Sequence, residues 1–273
     1  MKELAGPFEL LPGCRLWLAV FAPQHDESVS IDDERAEHEL SEEDFRRWRR
    51  YRNPGKRRQL LNSRRVVRAV LRSESERCFA ATDLHAASRL LHFCSDASGR
   101  PLVLDSTGEE VFSISLSHSG NVVAIAVSEL PDRIGVDVEV VCPLNEAALM
   151  NSAATTEEVA WMTQQPASAR AELLRTLWVM KESVWKTAPT EGEMSLLDVS
   201  VGFASRSLRL RRSATNNQDS EWNTALFVLN CVEVFADTST IVHPLAGGVA
   251  VRGCLARQHS SLVTSTNLAD AAP

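Results

Sequence analysis

Asp137 and Glu139 stand two residues apart in Ile134-Gly135-Val136-Asp137-Val138-Glu139-Val140, where apolar residues alternate with glycine and acids. On a β-strand a period of two sends both carboxylates to one face, about 7 Å apart. Two carboxylates so placed repel unless water or a cation separates them. A hard cation such as Mg2+ takes oxygen ligands, commonly one or two carboxylates with phosphates and waters completing the shell. A strand with a solvated polar face would show the same alternation.

A second cluster lies in Leu177-Trp178-Val179-Met180-Lys181-Glu182-Ser183-Val184-Trp185-Lys186. On a helix Trp178, Glu182 and Trp185 share one face, and Lys186 follows Glu182 by one turn, so a carboxylate and an ammonium can work together. The same spacing also describes an ordinary surface pair worth about 0.2–0.5 kcal/mol. A third element is Phe112-Ser113-Ile114-Ser115-Leu116-Ser117-His118-Ser119-Gly120. There His118 ends a strand among hydroxyls and a glycine, where loop backbone can approach a phosphate; a solvent-facing turn histidine is the plain alternative. A serine-hydrolase reading fails, because adjacent Ser and His in a strand point to opposite faces and no G-x-S-x-G elbow exists.

The elements that must position these residues follow from period and punctuation. An opening strand is expected near Arg15–Phe21, then an acidic loop, a helix around Ser41–Arg52 capped by Ser41, and a second helix over Lys56–Ser73. Strands follow at Leu102–Leu104, Phe112–Leu116 and Val122–Val127, the last two joined by a tight turn at Ser119-Gly120-Asn121. After Pro131-Asp132 the acidic strand Ile134–Val141 begins a second half. That half adds helices near Thr155–Thr163 and between Pro166 and Pro189, then strands at Leu196–Phe203, Ala225–Phe235 and Gly248–Val251. The expected division is 1–128, 129–255 and a frayed tail at 256–273, with a polar insertion at 205–221.

Composition is that of a globular chain of 273 residues, 44% hydrophobic and 24% charged. No run approaches the roughly 18 apolar residues of a membrane helix. Leu16–Ala22 fits a buried strand better than a secretory segment. The six cysteines are scattered without C-x-x-C pairs, which suits free thiols in a reducing cytosol. Net charge is −7, yet residues 46–72 hold twelve basic residues and no acid, directly after an acidic stretch at 26–44.

Together, the Gly-Val-Asp-Val-Glu strand and the Trp-x-x-Lys-Glu-Ser-x-x-Lys helix resemble the two signature motifs of the 4'-phosphopantetheinyl transferase superfamily. The Ser-His-Ser-Gly hairpin and the Gly-Arg-Pro before it are similar to its larger, surfactin-synthetase-activating branch. His118 precedes Asp137 by 19 residues and Asp137 precedes Glu182 by 45, separations that suit that branch. The similarity covers roughly residues 56–190, and nothing from Ser205 onward aligns with it.

The resemblance implies an α+β fold of two pseudo-symmetric halves with coenzyme A in the cleft between them. It implies a cytoplasmic, monomeric enzyme that moves 4'-phosphopantetheine from coenzyme A to a serine of an apo acyl- or peptidyl-carrier protein. Asp137, Glu139 and Glu182 would surround Mg2+, with Glu182 as general base and Lys186 at the reacting phosphate. Trp178 would shape the site. His118, Ser117 and Lys181 would contact coenzyme A, while Arg58, Arg64, Arg68 and Arg100 would lie near its nucleotide end. Arg46, Arg47, Arg49 and Arg50 would steer the carrier or solvate the surface. Two other readings remain: a coenzyme A-binding protein of this fold without catalysis, and a basic-helix protein that binds nucleic acid or another polyanion.

Overall fold

The computed structural model describes residues 1, 3–21, 33–79, 91–97, 99–129, 133–142, 145–187, 195–202, 207–210, 222–230, 233–236, 239–241 and 251–258. The expected polar insertion lies largely outside these residues, as do 259–273 of the expected tail.

The fold is α+β. Strands β1 (Glu3–Leu11), β2 (Cys14–Val20), β3 (His92–Ser95), β4 (Pro101–Leu104), β5 (Glu110–Ser119) and β6 (Val122–Glu129) form one antiparallel sheet in the order β1-β2-β6-β5-β4-β3. Its centre is buried on both faces. Along β2, Leu16, Leu18 and Val20 pack toward Ile134, Val136 and Val138. The alternate residues Trp17, Ala19 and Phe21 pack toward Val66, Val67, Val70 and Leu71 of the helix α3 (Pro54–Phe79). This double burial explains why β2 reads as one apolar run rather than as an alternation. Ile125 sits in the same layer at 0% exposure, and Ile125→Ala there should cost about 2–5 kcal/mol. Gly120, with φ +55°, makes the two-residue link from Ser119 to Val122 that joins β5 to β6.

The second antiparallel sheet uses β7 (Arg133–Val140), β10 (Trp222–Asn230), β11 (Glu233–Ala236), β12 (Ser239–Ile241) and β13 (Val251–Gln258), in the order β12-β11-β10-β13-β7. β8 (Val199–Gly202) and β9 (Ser207–Leu210) form a separate hairpin. Helices α4 (Glu146–Ala153), α5 (Thr156–Thr163) and α6 (Ala167–Trp185) follow β7, and α6 lies across β7 and β13. A capping box between Thr155 and Glu158 starts α5 at the expected place. The expected strand at Leu196 opens instead with one 3-10 turn, Leu196–Asp198, before β8. β13 runs through Gln258, three residues into the expected tail.

Six elements lie outside the sequence expectation: β1, β3, α4, β9, β12 and the helix α1 (Asp33–Glu39). β1 contains Gly6-Pro7, which punctuates like a turn, and α1 lies in the acidic stretch expected as a loop. Its reason to fold is tertiary. Glu39 holds Arg65 through two bonds of 2.6 and 2.8 Å, and Asp44 on α2 (Glu42–Arg50) holds Arg64 through 2.6 and 2.7 Å. Arg68 also donates to the Glu39 carbonyl. The acidic stretch thus pairs with the basic one inside the molecule, and α1, α2 and α3 share a core of Ala36, Leu40, Trp48, Leu60 and Leu61.

Candidate active site

β7 is an edge strand of its sheet, and its free edge runs against β5. An unpaired strand edge needs partners for its N–H groups. Here they come from side chains: the N–H groups of Val136, Val138 and Val140 donate to the hydroxyls of Ser115, Ser117 and Ser119 at 3.0, 3.3 and 3.1 Å. A hydroxyl that accepts in this way still has its own proton to place. Ser117 donates to Asp137 Oδ1 and Ser119 to Glu139 Oε2, each at 2.7 Å. One set of serines therefore joins the two sheets and aims the two carboxylates. Its signal was present in the sequence as serine at every second position from 113 to 119.

Gly135 sets the distance to α6. A Cβ at this position would stand 1.9 Å from the Ser183 carbonyl oxygen and 3.0 Å from the Lys186 Cβ, so only glycine lets helix and strand approach this closely. That approach brings Lys186 Nζ to 2.7 Å from Asp137 Oδ1 and 3.0 Å from the Val136 carbonyl. The other Asp137 oxygen, Oδ2, is buried and has no hydrogen-bond partner among the described residues. A buried acceptor left alone costs about 1–3 kcal/mol, so an orphan here marks a place for something else to bind.

Two neighbours share the field. Burial is the main influence that pushes the Glu139 carboxyl above its usual range. Hydrogen bonds from Ser119 and Trp178 oppose the shift, and the Asp137 charge adds to it. Glu182 is raised as well, first by burial and then by the charges of Asp137 and Glu139, with Lys186 opposing. Each of these acids carries a cost for being charged that a cation would relieve. The donors are all oxygens, the kind a hard cation selects. Among the described residues, however, no three Asp, Glu, His or Cys side chains converge closely enough to hold an ion as they stand.

Beside this cluster a cleft of about 510 Å³ opens between the first sheet and the β7–α6 pair. Arg47, Arg64, Arg100, Arg133 and Lys186 are its cations, with Phe93, Ile114, Leu116 and Trp185 among its apolar walls. Arg64 lies over the Phe93 ring at 4.7 Å while Asp44 holds its fork. Arg100 is held by Asp96 and Glu110.

The expected residues divide accordingly. Arg64, Arg100 and Lys186 line the cleft, and Asp137 touches it through Lys186. His118 is exposed on β5, on the strand face shared with Ile114 and Leu116, and does not line the cleft. Arg58 is half-buried on α3, also outside the lining. Ser117 serves Asp137 and β7. Lys181, expected to contact coenzyme A, is enclosed at 0% exposure and bonded to Glu158 and to the Ala153 carbonyl, both at 2.7 Å. Its helix face points into the core of α5 and α6, away from the cleft. Arg47, grouped by sequence with the outward arginines, lines the cleft instead, as does Arg133 at the start of β7, which no sequence motif marks.

Comparison with known proteins bears on this same region. Residues 133–231 match the family model of the 4'-phosphopantetheinyl transferase superfamily. A 93-residue stretch is 34% identical to a Haemophilus influenzae protein named "Putative 4'-phosphopantetheinyl transferase". That alignment takes 33% of this chain and 37% of the relative, so the chain's match spans little more than a third of the relative's length. From the acid strand β7 through the lysine-bearing helix α6 to residue 231, the chain is thus similar to the 4'-phosphopantetheinyl transferase superfamily.

Proposed function

We propose that the protein transfers the 4'-phosphopantetheine group of coenzyme A to a serine of an apo acyl- or peptidyl-carrier protein and releases 3',5'-ADP. The observation that carries this reading is the Lys186–Asp137 contact with its orphaned Oδ2, set beside Glu139 and Glu182 at the wall of a cationic cleft. Phosphoryl transfer asks a protein mainly for positioning and charge neutralisation, and the cleft supplies both.

In this reading the coenzyme A pyrophosphate lies near Lys186. The carrier serine Oγ forms a bond to the phosphorus that bears the pantetheine arm. The bond from that phosphorus to the bridging oxygen breaks, and its electrons leave with 3',5'-ADP. Glu182, whose burial favours holding a proton, takes the one lost by the serine. Lys186 steadies the charge on the reacting phosphate. Asp137, Glu139 and Glu182 would hold Mg2+, which when bound neutralises phosphate charge and polarises the phosphorus. His118, exposed near the end of β5 and outside the cleft lining, would meet a phosphate only at the cleft's margin. The enzyme is read as a cytoplasmic monomer of the larger, two-half branch.

A coenzyme A-binding protein without catalysis is the second reading, favoured only by the ungathered carboxylates. The pairing of Arg64, Arg65 and Arg68 with Asp44 and Glu39 weighs against the polyanion reading. The deciding experiment is intact-mass analysis of several apo-carriers incubated with the protein, coenzyme A and Mg2+. At least one carrier should gain a single phosphopantetheine, and EDTA should abolish the gain. Folded protein that binds coenzyme A yet modifies none of a broad carrier panel would favour the second reading.

A further inference from the structure

Among the described residues, four of the five cations on the cleft wall already have partners. Arg47 donates to the Tyr51 hydroxyl at 2.8 Å, Arg64 is held by Asp44, Arg100 by Asp96 and Glu110, and Lys186 by Asp137. Arg133 differs: its Nη1 is buried and has no hydrogen-bond partner among the described residues. A buried guanidinium donor without an acceptor is expensive to keep, and the planar fork matches the oxygens of a phosphate.

Position narrows which phosphate. Arg133, Gly135 and Asp137 share one face of β7, so Arg133 lies about 13 Å along the strand from the carboxylate cluster. The reacting pyrophosphate belongs at the Asp137 and Lys186 end. Coenzyme A carries one other phosphate, on the 3' position of its ribose, and the ribose separates it from the pyrophosphate. Ile134, Trp185 and Lys186 line the same cleft as Arg133. Arg64, one of the arginines expected near the nucleotide end, has both arms of its fork occupied by Asp44.

We propose that Arg133 is the contact for the 3'-phosphate of coenzyme A. The assignment rests on the transferase reading above and adds to it a residue that selects coenzyme A over its dephospho form.

The test is isothermal titration of the full chain with coenzyme A and with dephospho-coenzyme A, for wild type, Arg133→Gln and Arg133→Lys. Wild type should bind coenzyme A about 10-fold or more tighter than the dephospho form, the scale of a charge-assisted hydrogen bond. Arg133→Gln should bring that ratio close to one while leaving dephospho-coenzyme A affinity unchanged, and Arg133→Lys should keep part of the preference. A preference that survives intact in Arg133→Gln overturns the assignment, as does wild type binding both ligands equally. A fall in both affinities together, with a lowered melting temperature, makes Arg133 a support for the end of α6 and overturns it too. Wild type that binds neither ligand sinks the transferase reading itself. If Arg133→Gln does not fold, the wild-type ratio and Arg133→Lys still decide.

Discussion

Lys181 and Lys186 lie five residues apart in one stretch of chain, and each meets a carboxylate at 2.7 Å, yet they occupy opposite kinds of site. The Lys181–Glu158 side chains are 0% and 3% exposed, and Glu158 also accepts from Thr155 N–H and Val201 N–H, both at 2.7 Å. Every strong bond there is made, and burial lowers the lysine's affinity for its proton against the pull of Glu158. The Lys186–Asp137 pair is 22% and 5% exposed, opens on the cleft and leaves Oδ2 without a partner among the described residues. A complete polar network rigidifies; an incomplete one beside a cleft is available for chemistry. Distance alone would not have told the two pairs apart.

The largest effect should come from breaking the closed pair. Glu158→Ala leaves a buried ammonium without its partner and should cost about 3–5 kcal/mol, read by urea denaturation. Replacing both members with apolar residues, Glu158→Leu with Lys181→Met, should recover much of that loss. If the single variant costs less than about 1 kcal/mol, the pair is not a closed network.

Breaking the open pair should do the reverse. Lys186→Ala should lower carrier modification by about 100-fold or more, the usual scale for a positioned acid or base. Its stability loss should be smaller than that of Glu158→Ala. Turnover within threefold of wild type would make Lys186 a structural residue like Lys181.

A subtler effect concerns pH. Glu139 and Glu182 have folded-state pKa values raised above their unfolded ones, so their contribution is fully present at acid pH and is lost as pH rises through the raised values. In EDTA, Glu139→Gln combined with Glu182→Gln should therefore gain melting temperature over wild type, and the gain should grow from pH 5 to pH 8. Each kcal/mol corresponds to about 2–4 °C for a chain of this size. Adding Mg2+ with coenzyme A should raise wild type but not the double variant. A difference that shrinks with rising pH would contradict the burial of these charges.

The smallest effect belongs to the exposed arginines of α2. Neutralising Arg46, Arg49 and Arg50 should change stability by less than about 0.5 kcal/mol and flatten the salt dependence of the carrier KM. Full retention of that dependence would leave them as a solvated face.

Much of the site was legible early because its signals are local. The alternation around Asp137 predicts a strand, and the spacing of Trp178, Glu182 and Trp185 predicts a helix face; both elements are present. β1 and α1 were not legible, since a Gly-Pro and a run of acids look like loop until their partners are known. The hydroxyls of Ser115, Ser117 and Ser119 repeat visibly, but nothing local says that the strand opposite them lies in a different sheet.

The sequence by itself determined which residues can carry charge and which share a face, because strand and helix periods are properties of a single element. Which charges remain available was decided only by the tertiary structure. Asp44 and Glu39 occupy Arg64 and Arg65, and Glu158 encloses Lys181. Gly135 brings α6 down onto β7, so that Lys186 meets Asp137 at the edge of the cleft. The reason is physical: an ion pair depends on distance and burial between segments far apart in the chain, and neither is written into the period of one element.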